Sequence, residues 1–394
     1  MSKLLIKNAN IVLTDKLSRN SAILVTNGKI SEIYSRGDKL PKNIDKVINS
    51  NGNYIAPGFI DLHIHGIHNY LIDKGIEVLD AICKILPKYG VTGFLPTVCP
   101  LPKGTDAAFL STLAEVKSKG AQILGFHLEG PFLTLTGALP KEALGKADII
   151  RVKNLIKAAK PYKAIFSIAP DFEKIEKLIH VMAKNNTPVF MTHTKANVEQ
   201  TINAIKAGAC HATHFYDVFY PPADKDPGVR PCGAVEAILS DENVSVDFIL
   251  DGEHVDPIAV KMALQCKGAD KVCLITDANI GSGLEPGKYK FGGDEISFAY
   301  KGAPARGTKK SRFPGCLYGS GLTMNKAVQN AVRMLDVDIV QAVKMASSNP
   351  AKVLRIDSRK GKIEQGYDAD LVMLDKQLNV VKTLISGQCC YDRK

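Results

Sequence analysis

Five histidines stand where short apolar runs give way to polar residues. His63 and His65 close GFIDLHIH (58–65), and His193 closes PVFMTH (188–193). His214 lies at the end of ACHATHF (209–215), and His254 ends VSVDFILDGEH (244–254). The chain has nine histidines, so more than half occupy one kind of position. Two carboxylates share it: Glu129 near the end of QILGFHLEG (122–130) and Asp277 in KVCLITDAN (271–279). Imidazole nitrogens and carboxylate oxygens are the donors that hold a divalent transition metal. His63 and His65 are at i and i+2, so on a strand both leave the same face. Gly130-Pro131 breaks the strand after Glu129 and turns the carboxylate toward the strand end. Glu129, His193 and His214 would then make three protein ligands with a fourth position open to water, the pattern of a catalytic metal site. Water in that position loses a proton near neutral pH. Asp277 could take that proton and pass it to a leaving group. Taken singly, H-x-H could equally be two polar residues at a strand end, and Thr276-Asp277-Ala278 could equally cap a helix.

These residues can meet only if their runs end on one side of one sheet. Two further runs, VTGFLPT (91–97) and KAIFSIAPD (163–171), bring the number to eight. Helical patterns lie between them, as at Ile76–Tyr89, Phe172–Asn185 and Val198–Ala207. Continuous apolar strands alternating with helices indicate a parallel sheet covered on both faces. Eight such units predict an α/β fold, a (β/α)8 TIM-like barrel, whose functional residues gather where the strands end. An open doubly wound sheet is the second possibility. No glycine-rich nucleotide loop supports it.

The two ends of the chain read differently. Strands are expected at Leu4–Asn8, Ile11–Leu13, Ser21–Thr26 and Lys29–Tyr34, with an Asn27-Gly28 turn before the last. Ala369–Leu374 and Val380–Ile385 look alike. The expected organisation is therefore a small β-sandwich built from 1–57 and 359–394 around a barrel at 58–358.

Composition narrows the class. Hydrophobic residues are 45% and charged residues 23%, ordinary for a globular enzyme. No apolar stretch is long enough to cross a membrane as a helix. The net charge of +11 is spread along the chain. Its densest spot, Arg306, Lys309, Lys310 and Arg312, lacks the interleaved aromatics of a nucleic-acid groove. Neither nucleic acid nor membrane is expected as a partner. Nine scattered cysteines without a C-x-x-C, and an N-terminus without a signal-peptide core, suggest a reduced cytoplasmic protein.

With these residues in view, the chain resembles the amidohydrolase superfamily, and within it the N-acetylglucosamine-6-phosphate deacetylase family. The resemblance rests on APGFIDLHIHG (56–66), GFHLEGPFL (125–133), ATHFYD (212–217), DGEHVDP (251–257), LITDAN (274–279) and GSGLTM (319–324), in that order over almost the whole chain. It implies a metal-dependent homodimeric hydrolase that releases acetate from an N-acetyl amino sugar phosphate. It implies Glu129, His193 and His214 as principal metal ligands and His63 and His65 as holders of a second ion. The metal is expected to be zinc, with iron, manganese or cobalt as alternatives. Asp277 matches the acid/base, and His254 matches a substrate contact. Phe215, Tyr216, Asp217, Lys225 and Arg230 fall in the segments that hold the substrate. Three segments depart from the family pattern. Gly137-Ala138-Leu139 lacks a histidine. Asp217 stands where an asparagine is usual. Lys225-Asp226-Pro227-Gly228 replaces an Arg-Glu-Pro-Gly whose arginine reaches the neighbouring subunit's phosphate, and Arg230 is a possible substitute. The segment Tyr300–Arg312 matches nothing in the family. The same chemistry on a different N-acylated substrate, or a non-catalytic sugar-binding relative, are the other possibilities.

Overall fold

Each of the eight apolar runs contains a strand in the computed structural model, which describes residues 2–224 and 226–393. The strands are Phe59–Ile64, Val91–Val98, Phe126–Phe132, Ala164–Ile168, Val189–Met191, Ala209–Ala212, Ser245–Ile249 and Val272–Ile275. They pair in parallel in that order, each with the next. Nearly every residue in them is buried, because helices cover the outer face and side chains fill the inner one.

The ring closes between the first run and the last. Ile64 bridges Ala278 in parallel. The Asp277 amide donates to the His63 carbonyl (2.9 Å), and the amides of His65 and Gly66 donate to the Ala278 carbonyl (2.9 and 3.0 Å). Barrel closure thus brings the H-x-H segment against Asp277, more than 200 positions later in the chain.

Helix ends follow local chemistry. Val198–Ala207 begins at a reciprocal cap, Asn197 accepting from the Gln200 amide and Gln200 from the Asn197 amide. The helix expected over Phe172–Asn185 is shorter, Ile175–Met182. Lys174 and Asn185 both have φ near 60°, a left-handed conformation that interrupts a right-handed helix on either side. Ile76–Tyr89 divides into an α-helix to Ile85 and a tighter turn over Leu86–Tyr89, where Pro87 has no N–H to continue the ladder.

Both ends of the chain share one eight-stranded sheet. Tyr54–Pro57 pairs with Lys3–Val12 on one side and with Leu371–Leu374 on the other, which joins the termini. A separate apolar core including Ile6, Ile11, Ile23, Leu371 and Met373 belongs to this sheet. The expected pair Leu4–Asn8 and Ile11–Leu13 is one strand, Lys3–Val12. Its pairing is irregular around Asn8, which has φ 55°. A third unit follows the eighth barrel strand: four antiparallel strands, Gly287–Phe291, Asp294–Phe298, Pro304–Gly307 and Leu317–Ser320. The unmatched segment Tyr300–Arg312 is its middle. Its last strand returns to the barrel, where the Ser320 amide donates to the Asp277 carbonyl (2.8 Å). Among the described residues, no helix is long and apolar enough to cross a membrane, and all nine cysteines are free thiols.

Candidate active site

His193, His214 and Asp277 each sit two residues past the end of a barrel strand, and all three have positive φ: 47°, 34° and 45°. Left-handed backbone is uncommon for residues other than glycine, though Asp and His adopt it more readily than most. Such conformations persist only where the surroundings impose them. Here the turn aims each side chain over the strand ends. His63 and Glu129 need no such turn, because they lie within strands whose alternate side chains face the interior.

Four imidazoles converge on the Glu129 carboxylate, and Asp277 faces two of them. Glu129 Oε1 is 3.2 Å from His193 Nε2 and 3.0 Å from His214 Nε2. Its Oε2 is 3.2 Å from His65 Nε2 and 3.6 Å from His63 Nε2. Asp277 Oδ1 is 3.4 Å from both His63 Nε2 and His65 Nε2. All six residues are buried. Burial alone would push the Glu129 carboxyl up, but the charge on His63 and the contacts from His193 and His214 hold it well below its ordinary value. Burial is likewise outweighed at Asp277, where His63 and His65 pull the carboxyl down. At His214 burial opposes charge, but the contact and charge of Glu129, with Asp217 and Asp277 behind it, raise the imidazole to about 10.

The donor set fits a divalent cation. His193 Nδ1 donates to the Leu135 carbonyl (3.1 Å), and His214 Nδ1 to the Asp217 carbonyl (3.3 Å). A carbonyl only accepts, so in each neutral ring Nε2 carries a lone pair, and both lone pairs face Glu129 Oε1. Lone pairs this close to a carboxylate call for positive charge between them, from a proton or a metal ion. Ligand atoms of His63, His65 and Asp277 lie within 4.8 Å of one another, as do those of His63, Glu129 and His214. Two ions sharing His63's neighbourhood, or one ion, are both compatible with this spacing.

Beneath the convergence lies a buried support that the sequence did not single out. Asp61 accepts from the His63 amide (3.3 Å) and from Thr276 Oγ1 (2.6 Å), tying the first strand to the last. Burial raises its carboxyl to about 7, against the lowering effect of those donors. Asp247 accepts from the His214 amide (2.6 Å) and pairs with His211 Nε2 (2.8 Å). His63 Nδ1 meets Thr213 Oγ1 at 3.2 Å, and His65 Nδ1 meets Cys99 Sγ at 3.6 Å. Their only signal in the sequence is position: a carboxylate inside an otherwise apolar strand has to be satisfied by something.

A cavity of about 400 Å³ opens above the cluster. Its lining includes His65, Glu129, His193, His214, Asp217 and Asp277. The other expected substrate residues that the structure describes do not line it. Phe215 packs in the core against Phe219 and Phe248, with ring centroids 5.2 and 5.9 Å away. Tyr216 is half-buried beside the Phe215 ring, at 5.1 Å. The His254 side chain is buried, its Nδ1 held by Asp251 at 2.6 Å, and its Nε2 has no partner among the described residues. Arg230 is exposed and paired with Glu236 at 2.8 Å. Lys225 lies outside the described residues. Asp277 caps no helix, since a turn follows it. Leu139, Tyr220, Phe291, Phe313 and Tyr318 also line the cavity. Three of them come from the antiparallel unit, and periodicity carries no sign of their role.

Comparison with known proteins follows the same outline. The profile described as "Amidohydrolase family" matches residues 54–390. N-acetylglucosamine-6-phosphate deacetylase of Bacillus subtilis (strain 168) is 32% identical, covering 99% of this chain and 98% of its own. N-acetylgalactosamine-6-phosphate deacetylase of Escherichia coli O157:H7 is 31% identical over 85% of this chain and 87% of its own. The crystal structure of N-acetylglucosamine-6-phosphate deacetylase from Pasteurella multocida superposes with a TM-score of 0.87 at 26% identity, covering 98% of this chain and 99% of that one.

Proposed function

The chain belongs to the amidohydrolase family, and on that premise we propose that it is a metal-dependent deacetylase of N-acetyl amino sugars, N-acetylglucosamine 6-phosphate among them. The observation that carries this reading is the carboxylate of Glu129 ringed by four imidazole Nε2 atoms within 3.6 Å, with Asp277 facing two of them. Glu129, His193 and His214 would hold the principal ion, zinc first among the candidates, and His63 and His65 would hold a second. When bound, such an ion supplies Lewis acidity and lowers the pKa of water toward neutrality.

The remaining steps belong to the chain's own groups. Asp277 is ionised at neutral pH, because His63 and His65 outweigh its burial. Its carboxylate accepts the proton of the water that attacks the acetyl carbon. The same group then returns that proton to the departing nitrogen, so that acetate and a free amine leave. Asp61 and Asp247 hold the backbones of His63 and His214 in place through the transfer. The cavity walls exclude bulk water and orient the sugar. A sugar-binding protein without catalysis would not require an ionised carboxylate beside four imidazoles. The free thiols suit a reduced cytoplasmic setting, and the family resemblance suits a homodimer.

The test is acetate release from N-acetylglucosamine and N-acetylgalactosamine, each with and without a 6-phosphate. It uses zinc-loaded protein and chelator-stripped protein as a pair. Release that depends on the metal is expected. A fully loaded protein that frees no acetate from any of the four would refute the reading.

A further inference from the structure

The fourth barrel strand, Ala164–Ile168, supplies none of the candidate ligands, yet its run ends in a carboxylate, Asp171, that the proposed reaction does not use. The turn that carries it is tied down. The Ala169 amide donates to the Phe132 carbonyl (3.0 Å), and the Phe172 amide to the Ala169 carbonyl (3.0 Å). Asp171 Oδ1 accepts from two hydroxyls, Thr134 Oγ1 at 2.9 Å and Thr194 Oγ1.

Both threonines bear on the candidate ligand His193. Thr194 follows it directly and is buried, and its hydroxyl also accepts from the Ala196 amide (2.9 Å). Thr134 Oγ1 lies 3.2 Å from the His193 carbonyl as well, so one hydroxyl reaches both the carboxylate and the ligand's backbone. The next residue of that loop, Leu135, accepts from His193 Nδ1 through its carbonyl (3.1 Å). This bond fixes the ring's tautomer and leaves the Nε2 lone pair for an ion. Two residues further on, the loop passes so close to the ring that a Cβ on Gly137, at φ +55°, would lie 2.9 Å from His193 Cε1. Gly137, Ala138 and Leu139 then line the cavity. Hydrogen bonds to a carboxylate are about twice as strong as those between neutral groups. The single carboxylate of Asp171 therefore pins the segment that aims the imidazole and walls the cavity. It supports His193 as Asp61 and Asp247 support His63 and His214, through hydroxyls in place of amides.

We propose that Asp171 is a positioning residue, which holds His193 in its ligating orientation by clamping Thr134 and Thr194 on either side of it. The inference rests on the metal-dependent reading above and deepens it.

The experiment measures the zinc dissociation constant of the full, chelator-stripped chain by competition with a chromogenic chelator, with a thermal melt of the same sample. Asp171→Ala should weaken zinc binding by about 10- to 100-fold, the usual effect of losing a group that orients a ligand. Asp171→Asn keeps an acceptor oxygen in the same place and should bind zinc nearly as the wild type does. A folded Asp171→Ala chain with wild-type zinc affinity overturns the proposal. So does an Asp171→Asn chain as weak as Asp171→Ala, because the acceptor would then not be what matters. Should Asp171→Ala fail to fold, Thr134→Val cuts the same clamp from the other side, and an unchanged dissociation constant there overturns the proposal equally. A role confined to stability is separated by a double-mutant cycle with His193→Asn. In that background Asp171→Ala should cost little further affinity, whereas a fully additive loss would mean that the carboxylate does not act through His193. Failure of the metal-dependent reading looks different: the wild-type chain would itself bind no zinc, and the proposal would fall with it.

Discussion

Replacing Asp277 with asparagine separates proton transfer from everything else this residue does. Asn has nearly the same shape and tolerates φ of 45° about as well as Asp does. The backbone bonds from the Asp277 amide to His63 and from the Ser320 amide to the Asp277 carbonyl are untouched. Glu129, His193 and His214 remain, so the principal ion should stay. Only the proton acceptor is lost. General acid–base groups contribute about 10²–10⁴-fold each, and this one is assigned both the uptake and the return of the proton. A fall in kcat near the upper end is therefore expected, or about 5 kcal/mol in barrier height. The assay is steady-state acetate release, with metal content by elemental analysis and a thermal melt on the same sample. Retention of more than roughly a tenth of wild-type kcat, well short of that range, would mean that Asp277 shapes the turn and another group moves the proton.

Other expectations follow from the same geometry. His193→Asn should lower bound metal measured by elemental analysis, since it removes one of two Nε2 atoms that face Glu129 Oε1; undiminished metal would remove His193 from the ligand set. Asp247→Ala leaves His211 and the His214 amide without their buried acceptor, so stability to urea should fall by about 3 kcal/mol or more, and a shift under 1 kcal/mol would contradict that. Gly319→Ala places a Cβ 2.7 Å from the Asp277 carbonyl oxygen at φ of +65°, so melting temperature and kcat should fall together; an active, fully stable variant would refute the crowding. The Asp251–His254 pair makes a pH-dependent contribution to stability. His254 is raised above 6.5, burial opposing but Asp251 prevailing, so its share is full below that value and lost as pH rises through the shifted one. Asp251 is lowered below 3.8, where burial is outweighed by His254, so its share is present above that value and lost as pH falls through the shifted one. Thermal melts of wild type and Asp251→Asn should differ most between those two ordinary values, and a difference independent of pH would count against the pairing.

Much of this fold is legible in one dimension because strand burial is a local property. A parallel strand buried on both faces must be apolar throughout, so eight apolar runs alternating with helical patterns already specify the barrel and the end where polar residues emerge. His63, His65, Glu129, His193, His214 and Asp277 stand out in the sequence for that reason. Other features depend on what a residue meets across the ring, and spacing does not carry that. Phe215 and Tyr216 follow a candidate ligand directly, yet the turn at His214 sends Phe215 into the core. His254 lies five residues past its strand, and Asp251 holds its ring by one nitrogen. The aromatic wall is built by Phe291, Phe313 and Tyr318 from a unit placed after the barrel, whose last strand joins the eighth run where the Ser320 amide donates to the Asp277 carbonyl and the Asn279 amide to the Ser320 carbonyl. The left-handed turns that aim His193, His214 and Asp277 have no signature in residue type, because histidine and aspartate reach them only when closure of the barrel imposes them. The sequence by itself determined which residues could do chemistry and at which end of the strands they stand. The tertiary structure decided which of them converge, since convergence is set by the seam between the first strand and the last.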